Sequence, residues 1–548
     1  MHSRRLLESL FAAGFLIAAL AGHDAHAADP TPRHGGTVVT VPGVGVAPPA
    51  AVNGLNPLLS SSLYNAQAAG LMYLGLLYID RHLKIDYTRS VASGIQVSAD
   101  RTVYTVTLHK RYRWSDGQPV TAEDVAYDYH MIEKLGPKFP NYGTGGIPTL
   151  VKSFEVLGPY RFRITLKRPV NADWFELDGL GLLMPLPKQT WEHYSVKTMF
   201  NHMVDPSFFQ VVDGPFKLQS FVQGRYVSFV PNPKYTGPNP PYIDRLVLRF
   251  LNTPQAVFAA LRTGAIQIGT LPRSLYPARA QLAALGTYEI KGLWGFNYMG
   301  FNYSNPNLTF IHDVRVRQAM MHAIDQPLLV KLEDFGMGQR DYGPVPVDPP
   351  TFLSPHARKM LDSKVYDPAL ADRLLDEAGW KRGPGGIREK DGHKLAFTLY
   401  VQAGRTRGPT LIAGMLAQVG IKLRLREKPF NSVIAEYTEP SNKQWQAVYL
   451  GWSLSTYPSA GTIFQTGGAL NNYHYSDPKL DKLIDEVTRK SGLAPLYAFQ
   501  DYMIKTQPVI FLPYSYKLVK YARNIHGIDK AFTPLGGFNP QYLWVSAK

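Results

Sequence analysis

No cysteine occurs anywhere in this chain of 548 residues. That removes every covalent staple at once: no disulfide, thiolate zinc site, iron–sulfur cluster, cysteine nucleophile or lipid anchor on an N-terminal cysteine is open to it. Whatever the chain folds into must be held by apolar burial. The material is there, with 45% hydrophobic and 18% charged residues, a globular composition rather than a disordered or fibrous one. A compact domain usually takes about 100–200 residues, so the length points to two to four domains or lobes.

The first segment reads as an address. Arg4 and Arg5 precede an apolar run from Leu10 to Ala21, which leads to Ala25-His-Ala27, a small-x-small cleavage site. This is the three-part layout of a secretory signal peptide over residues 1–27. The run is short against the roughly 20 residues a membrane span needs, and no later stretch is apolar enough to span. The expectation is a soluble exported protein in the periplasm, without a lipid anchor. Net charge is +16, but the basic residues are scattered. Lys422, Arg424 and Arg426 alternate with apolar residues, which is one wet face of a strand. Without a long basic run no nucleic-acid partner is expected; an anionic ligand, or a carboxylate on the ligand, fits this charge better.

Strand and helix signals alternate along the chain. Residues 36–41, 103–108, 160–166, 227–230 and 246–250 read as strands. Residues 65–77 read as a helix lined with small and apolar residues. Thr121-Ala-Glu-Asp124 is a capping box opening a helix through about Ile132. Further helices span 254–264, closed by Gly264, and 313–324, capped by Asp313. Residues 366–379 have an Asp cap, a Pro in the first turn and a closing Gly. The class is therefore α/β or α+β, with no internal repeat.

Enzyme signatures are missing. There is no H-E-x-x-H, no G-x-S-x-G and no G-x-x-x-x-G-K-[ST]. Gly383-Pro-Gly-Gly386 lacks the setting of a dinucleotide loop and reads as a turn. His312 and His322 do not share a helix face, and Asp124 with Asp128 reads as a solvated helix edge rather than an acid–base pair. No enzyme activity, metal or cofactor is expected.

Four groups of stretches, in order, carry a resemblance. The first contains Gly75–Asp80, Ala92–Tyr104 and Trp114-Ser-Asp-Gly-Gln-Pro-Val-Thr-Ala-Glu-Asp-Val125, the most specific string in the chain. The second is Gly214-Pro-Phe-Lys-Leu218, then Pro231–Gly237 and Pro240–Asp244. The third is Asp313–Ala319 with Ala323-Ile-Asp325, and the fourth Tyr366–Trp380 with Gly386–Gly392. Together they resemble the family 5 bacterial extracellular solute-binding proteins, the dipeptide-, oligopeptide- and nickel-type receptors of ABC importers. The resemblance implies an α/β bilobal clamshell of the type II periplasmic-binding-protein kind, with an extra domain inserted in lobe I. Lobe I would comprise 28–70, 205–285 and 515–548, the extra domain 71–204, and lobe II 286–514. Ligand would sit between lobes that close by hinge motion.

The resemblance also implies a site. In peptide-binding members an Asp a few residues after a Gly-Trp pair receives the ligand's amino terminus, since a buried ammonium needs a carboxylate. Here Gly451-Trp452 is followed by Ser455 at that place, and no acid, Lys or Arg occurs between Gln446 and Asn472. The departure argues against an ordinary α-amino peptide. Arg405 or Arg407 stands where dipeptide-type members place an Arg for the ligand's carboxylate, a role suited to its bidentate fork. Trp452 and Tyr457 are candidates for the pocket wall. Tyr64 follows Asn56-Pro-Leu-Leu59, a segment that approaches the ligand in this family. The implied function is a monomeric periplasmic receptor that carries a peptide or peptide-like solute to an inner-membrane ABC permease and its ATPase subunits. The alternatives are an opine, sugar or metal-chelate ligand and, more remotely, a periplasmic hydrolase or a chaperone.

Overall fold

Period-two patterning becomes strand wherever one face can be buried. The computed structural model describes residues 31–546, apart from 46, 48–51, 61 and 293. The proposed leader, 1–27, lies outside the described residues. In the strand Arg161–Leu166, Phe162, Ile164 and Leu166 are buried while the residues between them keep solvent contact. Val103–Leu108 pairs with it antiparallel. Ala92–Val97 and Val151–Gly158 complete a four-stranded sheet.

A second four-stranded sheet joins distant parts of the chain. Thr37–Thr40 lies parallel to Arg245–Arg249, with Val38 opposite Leu246. Tyr226–Pro231 and Phe216–Val222 extend it antiparallel. A five-stranded mixed sheet has the order Lys422–Lys428, Ala396–Gln402, Ala447–Ser453, Gly295–Phe301, Ile510–Leu512. One continuous apolar cluster runs behind all three sheets, consistent with a chain that has no covalent staple. Among the described residues no helix is long and apolar enough to cross a membrane.

Caps set the helix starts. The Asp313 carboxylate accepts from the Arg315 amide at 2.9 Å ahead of the helix Val314–Ala323, and Asp367 accepts from Leu370 at 2.9 Å ahead of Pro368–Glu377. The helix read over 65–77 is shorter and earlier, Leu63–Ala69, and stops at Gly70. Leu71, Met72, Tyr73 and Leu76 beyond it are all buried. Their apolar run reflects burial on every side, not a helical stripe.

Asp124 and Asp128 correct a second expectation. On the helix Ala122–Leu135 both are 4% exposed, not a solvated edge. Asp124 closes the capping box by accepting from the Thr121 amide at 2.8 Å and also takes the Trp114 indole N–H at 3.3 Å. Asp128 accepts the Met184 amide at 2.9 Å. Both acids pin chain crossovers to the helix, a use that sequence spacing does not distinguish from a wet face.

Candidate functional site

The strand Ala447–Ser453 is paired along one edge and open along part of the other. Gly295–Phe301 matches it residue for residue, antiparallel. On the far edge Ala396–Gln402 pairs only with Ala447 and Val448. Among the described residues no strand pairs with that edge from Tyr449 to Ser453. Backbone N–H and C=O groups left this way need a partner. Trp452 and Ser453, at the open end, line a cavity of ≈ 720 Å³.

The opposite wall comes from residues 141–182. The Asn171 carboxamide accepts from the Asp173 amide at 3.2 Å and starts a short helical turn, Ala172–Trp174. The turn widens into a π-helical turn, Phe175–Gly179, and then tightens into a 3₁₀ turn, Leu180–Leu182. Single π turns of this kind recur at functional sites. Asn171 Nδ2 also donates to the Tyr457 hydroxyl and to the Val487 carbonyl, each at 3.0 Å. The wall is thereby fixed to the loop that follows Ser453.

The π turn delivers Asp178 to the cavity. Its Oδ2 accepts from Ser455 Oγ at 2.8 Å and its Oδ1 from the Tyr457 amide at 2.8 Å. The residue is only 5% exposed. Burial pushes its carboxyl up to about 7, and the two hydrogen bonds pull against that rise. The cavity has a second acid, Asp485, which Arg489 holds at 3.0 Å. It also has a cation, Arg168. Trp174, Trp452 and Leu454 supply apolar wall.

The residues expected from sequence fall in three places. Trp452 and Ser455 line the cavity. Tyr457 lies directly behind it, 0% exposed, edge-on to Phe352 at 5.1 Å, with its amide on Asp178. Arg405 and Arg407 are exposed and outside the lining. Arg407 opens the helix Arg407–Gln418 and lies 5.2 Å over the Phe335 ring. Both guanidinium groups draw down the Glu333 carboxyl, which burial raises. Arg273 bridges the same acid at 3.5 Å and Asp334 at 3.0 Å. Tyr64 sits on the helix Leu63–Ala69 against Gly43, also outside the lining.

Sequence reading did not single out Asp178 or Arg168. Neither belongs to a recognisable motif. The stretch around Ser455 carries no acid of its own, and the one that reaches it comes from 277 residues earlier. Among the described residues no group of three or more His, Asp or Glu could hold a metal ion.

Comparison with known proteins gives the family and the fold. A family model, bacterial extracellular solute-binding proteins, family 5 middle, matches residues 86–474. The chain is 27% identical over 489 residues to the oligopeptide-binding protein AppA of Bacillus subtilis (strain 168), covering 86% of this chain and 87% of that one. The solved structure of AppA from Bacillus subtilis in complex with a nonapeptide is similar with a TM-score of 0.72 at 25% identity, over 94% of this chain and 100% of that one. NikZ from Campylobacter jejuni in complex with Ni(L-His) gives 0.72 at 22% identity, over 90% and 95%, and shares the fold.

Proposed function

The chain belongs to the family 5 bacterial extracellular solute-binding proteins, and from that membership we propose that it captures a short peptide or peptide-like solute for an inner-membrane ABC permease. Its fold is that of the type II periplasmic binding proteins. In this reading the protein works as a periplasmic monomer and breaks no bond of its solute. The two lobes, bounded as the family resemblance places them, open to admit the solute and close on it. ATP use by the partner drives release.

The observation that carries the reading is the unpaired edge of Tyr449–Ser453 beside the cavity. An extended peptide can add there as a strand, its main-chain groups satisfying those of the protein whatever its side chains are. Trp452 then offers an aromatic wall, and Ser455 presents its hydroxyl next to Asp178. The cavity volume, ≈ 720 Å³, falls within the roughly 300–1,000 Å³ typical of small-solute sites. That size favours a short solute over a long unfolded chain.

A thermal-shift series tests it. Di-, tri- and hexa-alanine, glucose and Ni(L-His) are added separately to the purified chain. Ligand at 100 times Kd stabilises the native state by about 2.7 kcal/mol, so at least one peptide is expected to raise Tm measurably. A rise with the chelate or the sugar and none with any peptide would move the solute to a non-peptide class.

A further inference from the structure

Two ionisable groups in the cavity have no partner of opposite charge. The Asp178 carboxylate takes two hydrogen bonds, both from neutral donors, Ser455 Oγ and the Tyr457 amide. Arg168 also lines the cavity, and its Nη1 is buried without a hydrogen-bond partner. It forms no ion pair among the described residues, and the two groups do not pair with each other. The other acid in the lining, Asp485, already has Arg489. A guanidinium with a buried unmet N–H is costly until an acceptor meets it, and a buried carboxyl ionises readily once a cation enters beside it. Held apart in one chamber, they are complementary to a molecule carrying both an ammonium and a carboxylate.

We propose that Asp178 and Arg168 read the two ends of the solute, Asp178 taking its ammonium and Arg168 its carboxylate. The inference rests on the peptide reading above and deepens it, because it names the charges the solute must carry and the residues that select them. It also accounts for Ser455. The strand-side position that lacks an acid donates its hydroxyl to an acid from the opposite wall, so the cavity keeps a carboxylate at that end. Both reading groups come from one segment: the strand Arg161–Leu166 leads directly to Arg168, and the π turn Phe175–Gly179 carries Asp178. Asn171 between them is tied to Tyr457 and Val487. The two groups therefore belong to one wall segment, which Asn171 ties down between them.

The test uses modified ligands first, so it does not depend on any variant folding. Calorimetry on the unaltered full chain compares Ala-Ala-Ala with its N-acetylated form and its C-amidated form. Each cap removes one charge and is expected to weaken binding by about ten-fold or more, the usual worth of a charge-assisted hydrogen bond. Asp178→Asn should lower affinity for the free tripeptide and leave little further loss on N-acetylation. Arg168→Gln should do the same for C-amidation. Equal binding of free and capped tripeptides overturns the inference and leaves the peptide reading standing. If Arg405→Ala, and not Arg168→Gln, abolishes the effect of C-amidation, the carboxylate half is overturned. No binding of any free di- to hexapeptide removes the peptide reading, and the inference with it.

Discussion

Gly145→Ala is expected to cripple solute binding, whereas Gly136→Ala is expected to spare it. The two glycines share a positive φ, +57 and +56, but differ in ψ, 16 and −139. The Gly136 backbone is the less open of the two to alanine, so a backbone penalty falls at least as heavily on the control. The two sites also differ in the space around them. A Cβ at Gly136 meets nothing within 4 Å. A Cβ at Gly145 would lie 2.0 Å from the Gly179 nitrogen and 2.3 Å from the Asp178 carbonyl carbon, both backbone atoms that cannot rotate away. Relief requires shifting the π turn that carries Asp178, which breaks its alignment with Ser455 and the Tyr457 amide. Overpacking of this kind costs about 1–3 kcal/mol of stability. Displacement by 1 Å or so removes the geometry on which a charge-assisted hydrogen bond depends. Calorimetry with Ala-Ala-Ala should show at least about a hundred-fold weaker binding for Gly145→Ala, two such bonds being lost or lengthened. Gly136→Ala should bind as the parent does. Equal affinity in both variants would mean that the π turn does not position the binding groups.

Stability is expected to fall between pH 5 and pH 8, and Asp128→Asn to remove part of that fall. Asp128 is buried with one hydrogen bond, from the Met184 amide, and burial raises its carboxyl from 3.8 to about 8. The unfolded chain loses that proton near pH 4 and the folded chain keeps it to about pH 8. Over that interval the native state binds more protons than the unfolded one, so stability drops as pH rises, by about 1.4 kcal/mol per pH unit for one such group. Asp178 and Glu176, each raised to about 7 by burial, act in the same sense. Acids held low by partners, such as Asp313 and Asp376, lose their stabilising effect only below the interval, as pH falls through their depressed values. Asn at 128 has the shape of the protonated acid, still accepts the Met184 amide and carries no charge. The variant's stability advantage over the parent should grow by about 4 kcal/mol from pH 5 to pH 8, at about 1.4 kcal/mol per pH unit. Denaturation midpoints at the two pH values decide the matter, and a parent equally stable at both would refute the assignment.

The parts of the fold written locally are legible in the sequence. Alternation in Val103–Leu108 and Arg161–Leu166 marks half-buried strands. Asp313 and Asp367 announce their helices because a cap needs only its own next few residues. The string around Trp114–Val125 identifies the family through turn and capping chemistry, and says little about the ligand. What stays illegible is set by distance in the chain. The run 65–77 looks helical because its residues are small and apolar. Only the fold reveals that the latter half is buried on every side. Asp128 looks like a wet helix edge until Met184 is brought over it. The stretch after Gly451-Trp452 holds no acid, and the carboxyl that Ser455 meets, Asp178, comes from the other wall of the cavity. Binding sites between separately folded walls are assembled in this way. Their local sequence carries one wall at a time.

Native mass spectrometry of the full chain incubated with a mixed tripeptide library tests the central claim most directly. The account predicts one intact tripeptide retained per chain, released on denaturation with its mass unchanged. A chain that retains nothing, or one that returns hydrolysed fragments, would contradict a solute receptor built on this cavity.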